Sequence, residues 1–273
     1  MEELELWKVI IIGIVEGITE WLPISSTGHM LLLDDFISLQ MTEAFKEMFF
    51  VVIQLGAILA VVVVFWKQMW PFRFQEKPVI QKPIFSMWFH VAAACVPSAL
   101  LGLLLDDFLE EHFGHPLSIA VMLIVYGVAF IVIENWNKRR TPKVETIDGI
   151  SYKTAILIGL FQALAMIPGT SRSGATIVGA LLLGVSRTAA AEFTFFLAVP
   201  TMLGASLLKL VKFGFAFTST ELITLLVGMA MAFAVSVLSI KWLMSYVRRH
   251  DFKVFGWYRI VLGAVVILYT LLK

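Results

Sequence analysis

Runs of roughly twenty apolar residues recur along this 273-residue chain, and that is the length a helix needs to cross a bilayer core of about 30 Å. Six of them read as complete spans: Ala44–Trp66, Phe85–Leu105, Leu117–Glu134, Ala189–Val211, Leu222–Tyr246 and Val254–Leu272. A helix satisfies its own backbone groups, as hydrocarbon demands, so the expected fold class is an all-α polytopic membrane protein. Charged residues make up 15% of the chain, against roughly 25% in soluble domains, which agrees with that class. The formal net charge of +1 excludes strong electrostatic capture of nucleic acid. Cys95 is the only cysteine, which excludes an intrachain disulfide and a thiolate metal cluster. The opening MEELELWK lacks the basic n-region of a secretory signal, so the first apolar run is expected to belong to the mature fold.

Two more apolar stretches, Trp7–Asp34 and Tyr152–Gly184, are interrupted by P-I-S-S-T-G and P-G-T-S-R-S-G. Such segments break a helix. Non-helical backbone at membrane depth persists only inside protein or along a water-filled cavity, so both stretches are expected to be re-entrant helix–loop–helix hairpins. They also match each other. Gly13 and Gly159, Glu16 and Gln162, Ser26 and Arg172, and Gly28 and Gly174 all lie 146 residues apart, while Pro23 and Pro168 are one residue out of step. Each half therefore carries one re-entrant hairpin and three spans, with repeat 1 at about 1–140 and repeat 2 at about 150–273 of a single membrane domain, 1–273. Three spans is an odd number, so the second half is expected upside down: an inverted repeat with its site near the midplane.

Loop charge orients this plan. Lys67, Arg73, Lys77 and Lys82 follow the first span, Lys138, Arg139, Arg140 and Lys143 the third, and Arg248, Arg249 and Lys253 the fifth. The segment from Asp106 to Pro116, read as a solvated outer loop, has no Lys or Arg. The positive-inside rule puts the basic loops in the cytoplasm and both termini outside; Lys209 and Lys212 count against it.

Glu16 and Glu20 stand four apart on a helical run, so their carboxylates share a face within the membrane. Intramembrane carboxylates are costly, and a pair offers hard oxygen ligands, which points to a divalent cation such as Mg²⁺ or Ca²⁺. Ser25, Ser26, Thr27 and His29 follow at once; the hydroxyls suit the cap of a second helix, whose N-terminus is a ready anion site. In the matching loop, Arg172 lies among Ser171, Ser173 and Thr176 and needs an anionic partner, either Glu20 or a phosphate. Ser26 and His29 are three apart, a spacing that favours Ser26 as nucleophile with His29 or a glutamate as base; attack by His29 or by water stays open. His90 is read as a structural histidine, and Gln54 and Glu192 as outer supports of the site.

E-G-I-T-E-W-L-P-I-S-S-T-G-H, from Glu16 to His29, and P-G-T-S-R-S-G-A-T, from Pro168 to Thr176, resemble the two signature motifs of the bacterial undecaprenyl pyrophosphate phosphatases, the bacitracin-resistance family. The resemblance extends through F-F-V-V-I-Q-L-G-A-I-L-A-V and G-V-S-R-T-A-A-A-E-F. It implies a phosphatase that releases phosphate from a prenyl pyrophosphate lipid, in the plasma membrane, with its site open to the outside. It carries over Glu16, Glu20, Ser25, Ser26, Thr27, His29, Ser171, Arg172, Ser173 and Thr176 as site residues. The expected partners are that lipid and the membrane, with a homodimer left open. The main rival is a secondary transporter, since inverted repeats with broken helices are common there. The other family of membrane lipid phosphatases fits poorly: no Arg-Pro dipeptide occurs, and Val178 stands where its histidine would fall.

Overall fold

Backbone that cannot bond to lipid must bond to itself, and the chain does so by folding into helices throughout. The structure, a computed structural model, describes residues 5–73 and 78–273, which leaves Lys77 outside the described residues. The first hairpin is α1 (Leu6–Thr19) and α2 (Ser26–Ile37). Then come α3 (Glu43–Val52), α4 (Gln54–Val64), the short α5 (Trp66–Met69), α6 (Lys82–Phe113) and α7 (Pro116–Asn137). A 3₁₀ turn, Ile147–Gly149, precedes the second hairpin, α8 (Tyr152–Leu164) and α9 (Arg172–Leu182). The chain continues through α10 (Arg187–Phe213), α11 (Ser219–Val247) and α12 (Lys253–Leu272). No strand occurs among the described residues, only two isolated bridges, Phe72 with Ile80 and Val144 with Val185.

Among the described residues, six helical segments are long and apolar enough to cross a membrane: Glu43–Val64, Lys82–Leu105, Pro116–Asn137, Arg187–Phe213, Ser219–Val247 and Lys253–Leu272. Each overlies one of the six expected spans, and the chain is a multi-pass membrane protein. The two broken stretches are helix–loop–helix, as expected. One expectation fails. The acidic segment after Leu105 is not a loop, because α6 runs on to Phe113. No proline or glycine intervenes before Gly114 to stop it. The helix change is confined to Gly114 and His115, where His115 Nδ1 accepts from Ser118 N–H at 3.1 Å and Pro116 opens α7.

The hairpins pack across the halves of the chain. In the first half α1 lies on α11, and in the second half α8 lies on α6. The paired glycines explain how. A Cβ on Gly13 would come within 2.9 Å of the Gly228 carbonyl oxygen on α11, and one on Gly159 would overlap the Ala94 carbonyl oxygen on α6. Small residues let helix backbones approach closely where the bilayer supplies little hydrophobic drive. Between these units α7 packs on α12 and α10 on α3 and α4. The largest buried cluster, including Trp21, Phe65, Phe195 and Phe196, holds the first hairpin loop against α4 and α10.

Candidate functional site

Each hairpin reverses through a serine in a conformation that serine seldom adopts. Ser25 has φ 73° and Ser171 φ 70°, the only non-glycine residues with positive φ among those described, and they too stand 146 apart. A left-handed backbone costs a residue with a Cβ roughly 1–2 kcal/mol. The hydroxyl offsets part of this by capping the helix that follows. Ser25 Oγ accepts from Gly28 N–H at 3.5 Å and Ser171 Oγ from Gly174 N–H at 3.2 Å. The turn thus starts α2 and α9 inside the bundle, with the positive ends of two helix dipoles at one place.

Charged side chains meet there. Arg172 Nη2 donates to Glu20 Oε1 at 2.8 Å, and Ser26 Oγ donates to Glu20 Oε2 at 3.1 Å. Arg172 Nη1 bonds the Thr194 carbonyl at 3.0 Å, and the guanidinium lies 5.6 Å from the Trp21 ring. Its Nε is buried without a hydrogen-bond partner. A cavity of about 410 Å³ opens beside this cluster, lined by Glu20, Ser26, Thr27, Ser171 and Arg172. Gln54, Ser98, Gln162 and Thr201 add polar groups from α4, α6, α8 and α10. Glu20 is 7% exposed, so this is an ion pair held largely away from water. Such a pair is costly to break unless another anion takes over the guanidinium.

The other expected site residues stand back from the cavity. Glu16 is 1% exposed behind Glu20, and its Oε1 has no hydrogen-bond partner. Ser25 is spent on its cap. Ser173 Oγ donates to the Glu20 carbonyl at 3.3 Å, and Thr176 Oγ1 donates to the Arg172 carbonyl at 2.9 Å while accepting from Thr194. Ser173 and Thr176 thus shape the loop and the Arg172 backbone rather than lining the space. His29 is turned away from Ser26: Nδ1 is 2.7 Å from the Ser25 carbonyl, and Nε2 is 2.7 Å from the Tyr258 hydroxyl. The base nearest Ser26 is Glu20. His90 bonds the Ser86 carbonyl and stacks on Tyr152, away from the cavity. Gln54 lines the cavity and Glu192 does not.

No group of three His, Cys, Asp or Glu side chains suited to a metal occurs among the described residues. Glu20 is the carboxylate that lines the cavity, and Glu16 lies buried behind it with Oε1 uncommitted. Two carboxylates fit a hard cation that takes its other ligands from substrate phosphates and water, the usual manner of Mg²⁺.

Three features escaped the sequence reading. Arg259 of α12 is fully buried, and its guanidinium donates to backbone carbonyls of both hairpin loops: Pro23 at 3.3 Å, and Gly169 and Thr170 at 2.9 Å each. It also reaches the Leu123 carbonyl at 3.4 Å. One side chain therefore ties the two breaks together. Gln162, the counterpart of Glu16, donates to Ser98 Oγ at 2.7 Å. On the far side of the bundle, buried Glu134 forms a bidentate pair with Arg187, at 2.9 Å to Nε and 2.5 Å to Nη2, and also accepts from Phe252 N–H.

A guanidinium, a carboxylate and hydroxyls thus line one cavity of a multi-pass membrane protein, with two helix N-termini beside it. Residues 9–265 match the family described as Bacitracin resistance protein BacA, and the chain belongs to that family. It is 70% identical over 272 residues to an undecaprenyl-diphosphatase of Enterococcus faecalis, covering 99% of each chain. Similar proteins of the same name occur in Desulfitobacterium hafniense, 60% identical over 98% of this chain and 97% of the relative. One from Acetivibrio thermocellus is 59% identical over 98% of each.

Proposed function

We propose that this chain hydrolyses undecaprenyl pyrophosphate to undecaprenyl phosphate and inorganic phosphate, returning the lipid carrier to cell-wall synthesis and giving resistance to bacitracin. Its family and the names of its relatives support this reading. The structural observation that carries it is the meeting of Arg172, Ser26 and Glu20 at one cavity wall. A pyrophosphate entering there offers Arg172 a new partner with two oxygens for its planar fork. Glu20 is then released toward Ser26. Ser26 Oγ attacks the terminal phosphorus, Glu20 takes the hydroxyl proton, and the bond from that phosphorus to the bridging oxygen breaks, so that the lipid monophosphate leaves. Glu20 passes that proton to the departing lipid phosphate; water then attacks the phosphoserine phosphorus, Glu20 takes the water proton and returns it to Ser26 Oγ as the serine–phosphorus bond breaks, and inorganic phosphate leaves. Arg172 and the N–H groups of α2 and α9 face the charge that develops on the transferring phosphoryl group. Glu16 and Glu20 would hold a divalent cation, which supplies charge neutralisation on the pyrophosphate oxygens.

The test is phosphate release from farnesyl pyrophosphate by purified protein, with and without chelator. Release that stops in excess chelator and returns with Mg²⁺ or Ca²⁺ supports both enzyme and cation. Full activity in chelator sinks the cation alone. Movement of the lipid across vesicles without phosphate release would favour the transporter.

We also propose that the two halves form an inverted repeat within a single domain, in the plasma membrane, with the cavity open to the outside. The crossed packing of α1 on α11 and α8 on α6 supports the repeat, and the basic loops support the orientation. In a Cys95→Ser background, Thr141→Cys should resist a membrane-impermeant thiol reagent in intact cells, and Gly114→Cys should react. The opposite pattern would turn the molecule over.

A further inference from the structure

One wall of the polar cavity is apolar. Met166, in the loop of the second hairpin, borders that cavity and also a second one of about 480 Å³. The second is a groove between α6 and the second hairpin, lined by Leu101, Leu105 and Leu109 on one side and by Leu160, Leu164 and Ile167 on the other. Leu105, Leu160 and Leu164 are exposed, so the groove opens on the outer face of the helix bundle. The partition between the two spaces is thin. Gly102 of α6 stands opposite Met166, and a Cβ built there would find Met166 Cε at 3.9 Å and nothing nearer. An unbranched thioether facing a residue with no side chain is a partition that turns aside at little cost.

We propose that this groove binds the prenyl chain of the substrate, which passes from the pyrophosphate in the polar cavity through the Met166–Gly102 gap and out along α6 and α8. The inference rests on the phosphatase reading for the identity of the head group. The groove's continuity with the anion site selects the occupant: an apolar chain joined directly to a phosphate group. A diacyl lipid would put its glycerol esters at the gap, where Ala99, Gly102, Ala165 and Met166 offer no polar side chain. A prenyl chain has nothing there to hydrogen-bond, and the groove beyond is lined only by leucine, isoleucine, phenylalanine, alanine and methionine. Chain selectivity then arises at the gap and along the groove, while phosphate chemistry stays at the two breaks.

Two measurements test this. The first compares farnesyl pyrophosphate with isopentenyl pyrophosphate, which carries one isoprene unit where farnesyl carries three. Gly102→Leu should lower kcat/KM for the farnesyl substrate by at least about tenfold, chiefly through KM, and leave the isopentenyl substrate within about twofold. Equal losses with the two substrates, or no loss with either, would overturn the route. The second measurement needs neither a variant nor turnover. Wild-type protein is irradiated with farnesyl pyrophosphate carrying a diazirine on its terminal isoprene, and adducts are mapped by mass spectrometry. Adducts within 101–109 and 160–167 support the groove even if no phosphate is released, a result that would sink the phosphatase reading alone. Phosphate release with adducts confined to other helices would sink the groove alone.

Discussion

Ser25 and Ser171 make the same turn in the two hairpins, yet the chain around them carries opposite charge. Before the first turn come Glu16 and Glu20; at the matching positions of the second half stands Gln162, with Arg172 following its serine. One backbone device, a capped left-handed serine that begins a helix inside the membrane, has thus been given an acidic and a basic version. Facing each other, the two versions make the Glu20–Arg172 pair. Two identical acidic loops would repel, and two basic ones would hold an anion with no base beside it. The difference between the two loops is what brings a carboxylate and a guanidinium together at one cavity.

The sharpest way to break this comparison is to exchange serines. Ser26→Ala should cut turnover by at least about 10³-fold while leaving farnesyl pyrophosphate binding measurable, and Ser171→Ala no more than about tenfold. Rapid-quench reactions should trap an acid-stable phosphate adduct on Ser26. Equal losses at the two serines, or an acid-labile adduct on His29, would show that the first loop does not hold the nucleophile assigned to it. His29→Ala should cost about tenfold or less, because both ring nitrogens already face Ser25 and Tyr258.

Arg172→Ala should lower kcat by roughly 10²–10³-fold, and Arg172→Lys by at least about tenfold, since an ammonium lacks the fork. Steady-state kinetics on folded protein decides it; wild-type rates in the lysine variant would make Arg172 a purely structural partner of Glu20. A smaller effect is expected at Glu16. Glu16→Gln gives the first half the residue the second half has at Gln162, and should raise the Mg²⁺ concentration for half-maximal activity about tenfold. An unchanged Mg²⁺ titration would remove Glu16 from the cation site.

The least effect on chemistry, and a larger one on stability, is expected where the halves are joined. Arg259→Gln gives up most of the charged hydrogen bonds to the loop carbonyls, each worth about 1.5–3 kcal/mol. Thermal unfolding in detergent should show a loss of at least about 3 kcal/mol, with kcat reduced only several-fold. Unaltered stability would mean that the loops hold their geometry without the tie.

Much of this was legible in the chain. Apolar run length located all six spans, because hydrocarbon thickness fixes how long they must be. The proline, glycine and hydroxyl clusters located both breaks, and the 146-residue offset paired them. Arg259 was not legible. It lies within an otherwise apolar span, and its acceptors are carbonyls from distant segments, which leave no side-chain pattern. The i, i+3 spacing of Ser26 and His29 suggested a working pair, but Tyr258, 229 residues further on, draws the imidazole away. Nor did composition show that α6 would continue beyond Leu105, since charged residues at a membrane surface occur in helix and loop alike.

The crossed packing of the hairpins also constrains how the protein is made. Thr19 ends α1, and α11, on which α1 lies, begins only at Ser219. Ribosomes add roughly 5–20 residues per second, so about 10–40 s separate the synthesis of the two surfaces. Throughout that interval the first hairpin lacks its resting place on α11, and for most of it Glu20 also lacks Arg172 to pair with. Final seating of the first hairpin therefore belongs to the last stage of biogenesis, after the second half has been threaded into the bilayer.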